Sequence, residues 1–160
     1  MGNDVAARLE LLETRFTLLD LVASYSHGFD GHDLERLRSI WFEDSVLDLG
    51  AEFGRADGLA EIVEIAEGFW SQIPFMHHWM ANTLLDIDLD DGSADGLSAL
   101  DCHITRTTGE AAWLGGTYRD RFVRRDGRRG LLERRFDLAY QTPVDSWAPE
   151  LGSEAPGGVP

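Results

Sequence analysis

The spacing of apolar residues changes near residue 75, and this change divides the chain into two parts. Before it, apolar residues recur every three or four positions, which is the period of an amphipathic helix. After it, apolar and polar residues alternate, which is the period of a strand with one buried face. The first part predicts three helices and one short strand, in the order helix 4–30, helix 33–41, strand 45–50 and helix 57–72.

The second part predicts four long strands with short connections. Turn signals at Asp91-Gly92, Thr108-Gly109 and Asp126-Gly127 separate apolar runs at 77–90, 97–108, 112–125 and 130–142. Short links between long strands indicate an antiparallel meander. We therefore predict an α+β fold in which N-terminal helices pack on a strongly curved, mainly antiparallel sheet and enclose a pocket.

The domain predicted from these elements spans residues 1–143. The segment 144–160 is rich in proline and glycine and shows no periodicity, so we expect an extended or mobile tail, in which Trp147 is the candidate for docking on the domain. No apolar run approaches the roughly 20 residues that cross a bilayer, and the first residues do not resemble a secretion signal. We therefore expect a cytoplasmic protein without membrane contact.

A carboxylate lies on the apolar stripe of the first helix. Asp30 continues a series with helical spacing that consists of Leu12, Phe16, Leu19, Ala23 and Ser26. A buried carboxylate costs several kcal/mol unless it is paired or hydrogen-bonded. The partner of Asp30 is therefore the first clue to function.

The last predicted strand also carries a charged side chain, Arg134, among apolar neighbours. Alternation places Arg134 on one face with Leu132, Phe136, Leu138 and Tyr140, which we expect to be the inner face. A guanidinium among apolar neighbours needs a carboxylate or an anionic ligand group. The pattern leaves open a buried ion pair, a charged head that reaches solvent at the strand end, or a contact to substrate.

Three histidines are candidates for the predicted pocket. His77 and His78 are adjacent on a strand, so they point to opposite faces, and His78 is in phase with Asn82. We expect His78 to point inward. His103 is a second inward candidate, but Cys102 has an equal claim to the inner face there. Tyr25 borders the same helical face as Asp30 and is either a pocket residue or a core tyrosine. The apolar lining expected around them comprises Trp41, Phe75, Phe136 and Leu138.

The charge balance excludes some partners. The chain has 29 acidic and 14 basic residues, a net charge of −15, whereas proteins that bind nucleic acid or anionic membranes need a basic surface. Its single cysteine, Cys102, excludes an internal disulfide and a thiolate zinc cluster. No glycine-rich phosphate loop is present, and we expect no metal, nucleotide or flavin cofactor.

Taken together, Tyr25, Asp30, the His78-x-x-x-Asn82 segment, His103 and the GGTYRDRF strand resemble the SnoaL-like group of the NTF2-like superfamily. The resemblance covers about residues 8–143. Within that group the chain is most similar to the branch of scytalone dehydratase, the bile-acid dehydratases and lindane dehydrochlorinase. Members of this superfamily include dehydratases, isomerases, cyclases, hydrolases and proteins without catalysis.

The resemblance assigns a role to each matching residue. Asp30 matches the aspartate that orients the catalytic histidine, and His78 matches that histidine, the general base. Tyr25 matches a tyrosine of the bile-acid dehydratases, where the dehydrochlorinase has a lysine. His103 matches the second histidine of scytalone dehydratase, and Arg134 the inward arginine of the dehydrochlorinase. The 45–50 strand lacks the tyrosine with which scytalone dehydratase acts on its carbonyl, so another group must do so here.

The resemblance implies a cofactor-independent lyase that eliminates water from a hydrophobic cyclic, polyketide-like or steroid-like molecule. An isomerase or cyclase using the same Asp-His dyad, and a non-catalytic binding protein, remain as alternatives. We also expect a homo-oligomer, a trimer or dimer, because Trp79, Leu85, Ile87 and Leu89 share the strand face opposite His78.

Overall fold

The computed structural model describes residues 2–145, and side chains from residue 4. Most of the predicted tail 144–160, including Trp147, lies outside this range. The elements are α1 (Gly2–Asp30), α2 (Leu34–Ser39), β1 (Trp41–Asp48), α3 (Gly50–Phe53), β2 (Arg55–Asp57), α4 (Leu59–Gln72), β3 (Phe75–Asp88), β4 (Ser93–Thr105), β5 (Ala111–Arg125) and β6 (Arg128–Pro143). No helix in this part of the chain is long and apolar enough to cross a membrane.

The three predicted helices are present, with small changes at their ends. The first ends at Asp30 as predicted. In α2 the side chain of Asp33 caps the helix by accepting a hydrogen bond from the backbone N–H of Arg36 at 2.9 Å. This helix ends at Ser39, so Trp41 begins β1 instead of closing a helix. The short elements α3 and β2 have no periodic signal long enough to predict.

The six strands form one sheet in the order β2-β1-β6-β5-β4-β3. The four long strands form the predicted antiparallel meander, and β1 joins the sheet by pairing parallel to β6. The predicted α+β architecture is confirmed, with the helices packed against a six-stranded, mainly antiparallel sheet. The core lies between the inner face of the sheet, α1 and α4.

The buried stripe of α1 differs from the predicted one. Leu12 and Phe16 are 53% and 66% exposed, and the buried positions instead include Thr14, Leu18 and Val22. At 100° per residue the two stripes are centred about 120° apart round the helix, so they overlap only at their edges. Both sides of this helix are apolar, and the sequence pattern alone could not choose between them. Ser26 is buried as predicted.

A bulge in β3 shows that the predicted inward orientation of Asn82 was wrong. The register with β4 shifts between Ala81 and Leu84, and Asn82 within the bulge is exposed with a φ of 53°. Asn82 therefore does not face the pocket with His78. Beyond the bulge the alternation reverses, so Leu85 and Ile87 pack against the core and do not share the outer face of Trp79.

Two further bulges change the inner face of β6. The register with β5 shifts near Phe122 and again near Gly116. Leu131 is fully buried in place of the predicted Leu132, and Tyr140 lies on the outer face, where its hydroxyl donates to Asp101. Arg134 and Phe136, between the two shifts, keep the predicted inward orientation and are buried.

Candidate active site

The end of α1 meets the start of β3, and this contact joins Asp30 to His78. The backbone N–H of His78 donates to Asp30 Oδ2 at 2.8 Å, and Nδ1 of the imidazole lies 2.5 Å from Oδ1. The side chains of Asp30 and His78 are only 11% and 10% exposed. Asp30 therefore fixes the position of the imidazole through Nδ1. The other ring nitrogen, Nε2, makes no contact with Asp30.

The surroundings of His78 favour its charged form. Burial would lower the pKa of His78, but the neighbouring Cys102 sulfur and the Asp30 carboxylate outweigh it and raise the pKa to about 10. Cys102 is the direct cross-strand partner of His78 on β4. The adjacent His77 lies on the other face, with a side chain that is 57% exposed and an Nδ1 that is 3.8 Å from Asp30.

A largely apolar cavity adjoins His78. It has about 480 Å³ of empty space, a volume that includes its open mouth. The residues in its lining that carry polar groups are His78, Tyr25, Tyr118 and Cys102. The remaining lining residues are Phe29, Leu49, Phe53, Phe69, Ile73, Met76, Leu100, Ile104, Leu114 and Phe136. The cavity thus combines an apolar wall with a few polar groups, as in small-molecule sites.

Tyr25 and Tyr118 approach each other beside the imidazole. Their hydroxyl oxygens are 3.3 Å apart, and the ring of Tyr25 meets the imidazole edge to face at 6.1 Å. Burial raises the pKa of Tyr25 to about 12, although Arg134 opposes this shift, and burial also raises the pKa of Tyr118. Both phenols are therefore neutral hydrogen-bond donors at ordinary pH.

Arg134 lies behind the two tyrosines. Its Cζ is 4.1 Å from the ring centroid of Tyr25 and 4.6 Å from that of Tyr118. Nε and the second terminal nitrogen of the guanidinium each donate to Asp120 at 2.7 Å, and both side chains are fully buried. Arg134 does not line the cavity, so of the three predicted possibilities the structure has the buried ion pair.

Other predicted site residues lie elsewhere. His103 pairs with His77 and Trp113 across the sheet, so it belongs to the outer face, and Cys102 occupies the inner position. Of the two orientations that the sequence left open for His103, the structure therefore has the outward one, and His103 does not line the cavity. Phe75 shares the outer face of His77, and its neighbour Met76 lines the cavity instead.

Three more expected lining residues can be placed. Trp41 is buried behind Tyr25, at 6.2 Å between ring centroids, and does not line the cavity. Leu138 is 39% exposed and also lies outside the lining, whereas Phe136 is part of it. Strand alternation gives the face of a residue, but the curvature of the sheet decides which residues of that face reach the cavity.

The comparison with protein families agrees with this architecture. The model of the SnoaL-like domain matches residues 10–135. The chain belongs to the SnoaL-like family. No curated protein matches this SnoaL-like chain significantly.

Solved structures of similar fold include enzymes that catalyse elimination reactions. A type 2 hexachlorocyclohexane dehydrochlorinase (LinA) has a TM-score of 0.83 at 22% identity, over 89% of this chain and 98% of that one. The type 3 enzyme from Novosphingobium barchaimii LL02 has a TM-score of 0.81 at 21% identity, over 89% and 99%. A scytalone dehydratase-like protein from Novosphingobium aromaticivorans DSM 12444 has a TM-score of 0.75 at 22% identity, over 89% and 94%. At such identities these likenesses establish the fold of this SnoaL-like protein.

Tyr118 is the functional candidate that the sequence analysis did not select. It lies within the GGTYRDRF strand, but only the register of β5 against β4 and β6 reveals that it faces inward opposite Phe136. The signal in the sequence was the pair Gly115-Gly116. A Cβ atom at Gly116 would collide with the backbone oxygen of Asp137 and with the ring of Phe136, so glycine allows the close strand packing beside Tyr118.

Proposed function

We propose that this SnoaL-like protein is a cofactor-independent lyase that carries out dehydratase-type β-elimination through the Asp30-His78 dyad. The observation that carries this proposal is the oriented imidazole at an apolar cavity: Asp30 holds Nδ1 at 2.5 Å, and His78 is part of the cavity lining. A buried polar pair with a purely structural role would not need this opening. Trp79 points outward and is 66% exposed, so it does not cover the opening of the cavity.

The dyad can supply both proton transfers of an elimination. In its neutral form, Nε2 of His78 removes a proton from a carbon of the substrate, and the electron pair of that C–H bond forms the new double bond as the β-hydroxyl departs. Asp30 stabilises the imidazolium that results. The imidazolium then returns its proton to the departing hydroxide, which leaves as water, and the base is regenerated.

Tyr25 supports the same reaction from a second side. Tyr25 is part of the cavity lining and its hydroxyl is held protonated by burial, so we infer that it donates a hydrogen bond to an oxygen of the substrate. Preorganised donors of this kind typically contribute about 10² to 10³-fold to rate. The apolar lining favours a hydrophobic cyclic, polyketide-like or steroid-like substrate.

The proposal is tested by turnover of candidate substrates followed by mass spectrometry. We would screen hydroxylated polycyclic and steroid-like ketones against the purified protein and against His78→Gln. Loss of one water by the wild type, and no reaction by the variant at unchanged thermal stability, supports the lyase. A product of unchanged mass supports the isomerase or cyclase that uses the same dyad, and turnover that survives His78→Gln contradicts the dyad itself.

A further inference from the structure

Cys102 brings a third reactive group to the Asp30-His78 dyad. It lies directly opposite His78 in the β3-β4 pair, and because directly paired residues point to the same face of a sheet, both side chains face the cavity and belong to its lining. Cys102 is 2% exposed, and the His78 side chain is 10% exposed. A nucleophile, a base and a carboxylate therefore adjoin one another, on β4, β3 and α1 respectively.

The imidazole of His78 stands between the carboxylate and the sulfur. Asp30 occupies its Nδ1 at 2.5 Å, and no nitrogen or oxygen atom of a described residue makes a hydrogen bond to Nε2. Besides Asp30, Cys102 is the side chain that hydrogen-bonds to the imidazole. The thiol also lies 3.6 Å from the backbone oxygen of His103, but a carbonyl is too weak a base to remove its proton. His78 is therefore the base that the thiol can use.

We propose that Cys102, His78 and Asp30 form a nucleophilic triad and that the protein hydrolyses esters of small apolar carboxylic acids through an acyl-cysteine intermediate. This is a second reaction of the same cavity, and it goes beyond the proposed elimination. A nucleophile beside a base that a third group orients is the signature of such a triad. Cys102 is then a catalytic residue, because its sulfur bonds to the substrate.

The two half-reactions balance without a further reactant except water. His78 takes the proton of the thiol, and the Cys102 sulfur attacks the acyl carbon, so that a C–S bond forms and the C–O bond to the alcohol breaks. The imidazolium gives its proton to the departing alkoxide. Water, deprotonated by His78, then attacks the thioester, the C–S bond breaks, and the carboxylic acid leaves as the sulfur takes back its proton.

The charges around the sulfur fit this role. A cysteine among apolar groups alone is inert, whereas an adjacent imidazolium stabilises a thiolate. Burial lowers the pKa of His78, but the Cys102 sulfur and the Asp30 carboxylate outweigh it and raise that pKa to about 10. The other titratable side chains of the cavity lining are Tyr25 and Tyr118, which burial keeps neutral. Cys102 and His78 can therefore exchange a proton without a competing charge from the lining.

The cavity wall defines the acyl group. None of its lining residues is a lysine or an arginine, so an anionic acid would enter without a cationic partner. The wall is otherwise aliphatic and aromatic, and the space is about 480 Å³ including the mouth. A short, neutral, apolar acyl chain fits this lining, with the alcohol directed toward the mouth.

The test uses 4-nitrophenyl butyrate and follows both products. We expect an initial burst of about one 4-nitrophenol per chain, steady turnover after it, and an intact mass that increases by one butyryl group after rapid acid quenching. Fragmentation should place this group on Cys102. The chain suits the measurement because Cys102 is its only cysteine and it contains no lysine. This part needs only the unmodified protein, so it does not depend on whether a variant folds.

Three variants then separate the triad from a merely reactive thiol. Cys102→Ala should abolish the butyryl adduct, His78→Gln should slow its formation about 10² to 10⁴-fold, and the outer-face variant His77→Gln should react as the wild type does. An adduct that forms equally fast in His78→Gln overturns the triad. So does an adduct that is never hydrolysed, or turnover with no adduct on Cys102. Elimination of water from a hydroxylated ketone by a protein that forms no adduct would retain the proposed lyase and remove only the esterase.

Discussion

Asp30 holds His78 at two points, through the backbone N–H at 2.8 Å and through the ring Nδ1 at 2.5 Å. The backbone bond sets the distance between α1 and β3, and the side-chain bond sets the tautomer of the imidazole. A single carboxylate at the end of the helix therefore fixes both where the base stands and which nitrogen it presents.

We expect Asp30→Asn to reduce turnover about 10² to 10⁴-fold. An amide cannot stabilise the imidazolium, and its N–H₂ group can hold the unproductive tautomer. The pKa of His78, followed by NMR of the imidazole, should fall from about 10, because the carboxylate is one of the groups that raise it.

His77→Gln is the matched control for that experiment. His77 adjoins His78 in the sequence, but its imidazole lies 3.8 Å from Asp30 on the outer face and is mostly exposed. This variant should keep wild-type turnover. A loss equal to that of Asp30→Asn would show that the two histidines are not functionally distinct.

The pH dependence of turnover should follow the neutral fraction of His78. Because its pKa is raised to about 10, the imidazole is mostly protonated at pH 7, and the neutral base becomes more abundant as the pH rises. We expect kcat/KM to increase up to about tenfold per pH unit through the neutral range, and in Asp30→Asn the rise should occur at lower pH. A flat profile between about pH 6 and 9 would argue against His78 as the base.

Stability must be measured at each pH as the control. A histidine whose pKa is raised by folding contributes its full stabilisation below the unfolded pKa of 6.5 and loses it as the pH rises through about 10. The protein is therefore expected to become less stable over the same range in which the base becomes more active. Denaturant unfolding at each pH separates the two effects.

The sequence predicts the frame of this fold well because the frame depends on periodicity. Helices α1 and α4 and the four long strands each extend over several repeats, and turn dipeptides such as Asp126-Gly127 mark their ends. It fails at single inserted residues. The bulge at Asn82 removes no apolar residue from the sequence pattern, yet it exchanges the inner and outer faces for the rest of β3.

The candidate site shows the same division. Asp30 and His78 could be predicted because a carboxylate and an imidazole on apolar faces need partners. Tyr118 could not be separated from its neighbours, because an inward tyrosine and an inward Phe or Leu give the same alternation. The face of His103 could not be decided from the sequence, because the apolar residues on both sides of it allow either phase, and only pairing with Trp113 decides.

The buried pair of Arg134 and Asp120 gives a prediction about stability. Arg134→Met should lower the free energy of unfolding by about 3–5 kcal/mol, because it leaves the Asp120 carboxylate buried without its partner. Adding Asp120→Leu to that variant should restore much of the loss, since no buried charge then remains. Urea unfolding measures both changes.

The exposed pair of Arg119 and Asp137, in the same two strands, is the control. Its side chains are 63% and 38% exposed, so Asp137→Asn should cost less than about 1 kcal/mol. A comparable loss at both pairs would mean that strand pairing, and not the buried charge, accounts for the effect.

The last prediction concerns self-association through the outer face of the sheet. Trp79, Leu84, Trp113 and Tyr140 are between 40% and 66% exposed, and they lie on β3, β5 and β6 of the one sheet. An apolar patch of this kind favours contact with a second copy. We expect light scattering at micromolar concentration to give a mass above the 17.8 kDa of one chain, and Trp79→Glu together with Leu84→Glu to reduce it.

Phe16→Glu is the matched variant for this experiment, because Phe16 is equally exposed, at 66%, on the apolar stripe of α1. A charge there should leave the assembly intact if the sheet forms the contact, since the helix stripe and the outer sheet face are separate surfaces. Dissociation by Phe16→Glu, with no effect of the two sheet substitutions, would place the contact on α1 instead. A mass of 17.8 kDa for the unmodified protein at that concentration would rule out the predicted assembly.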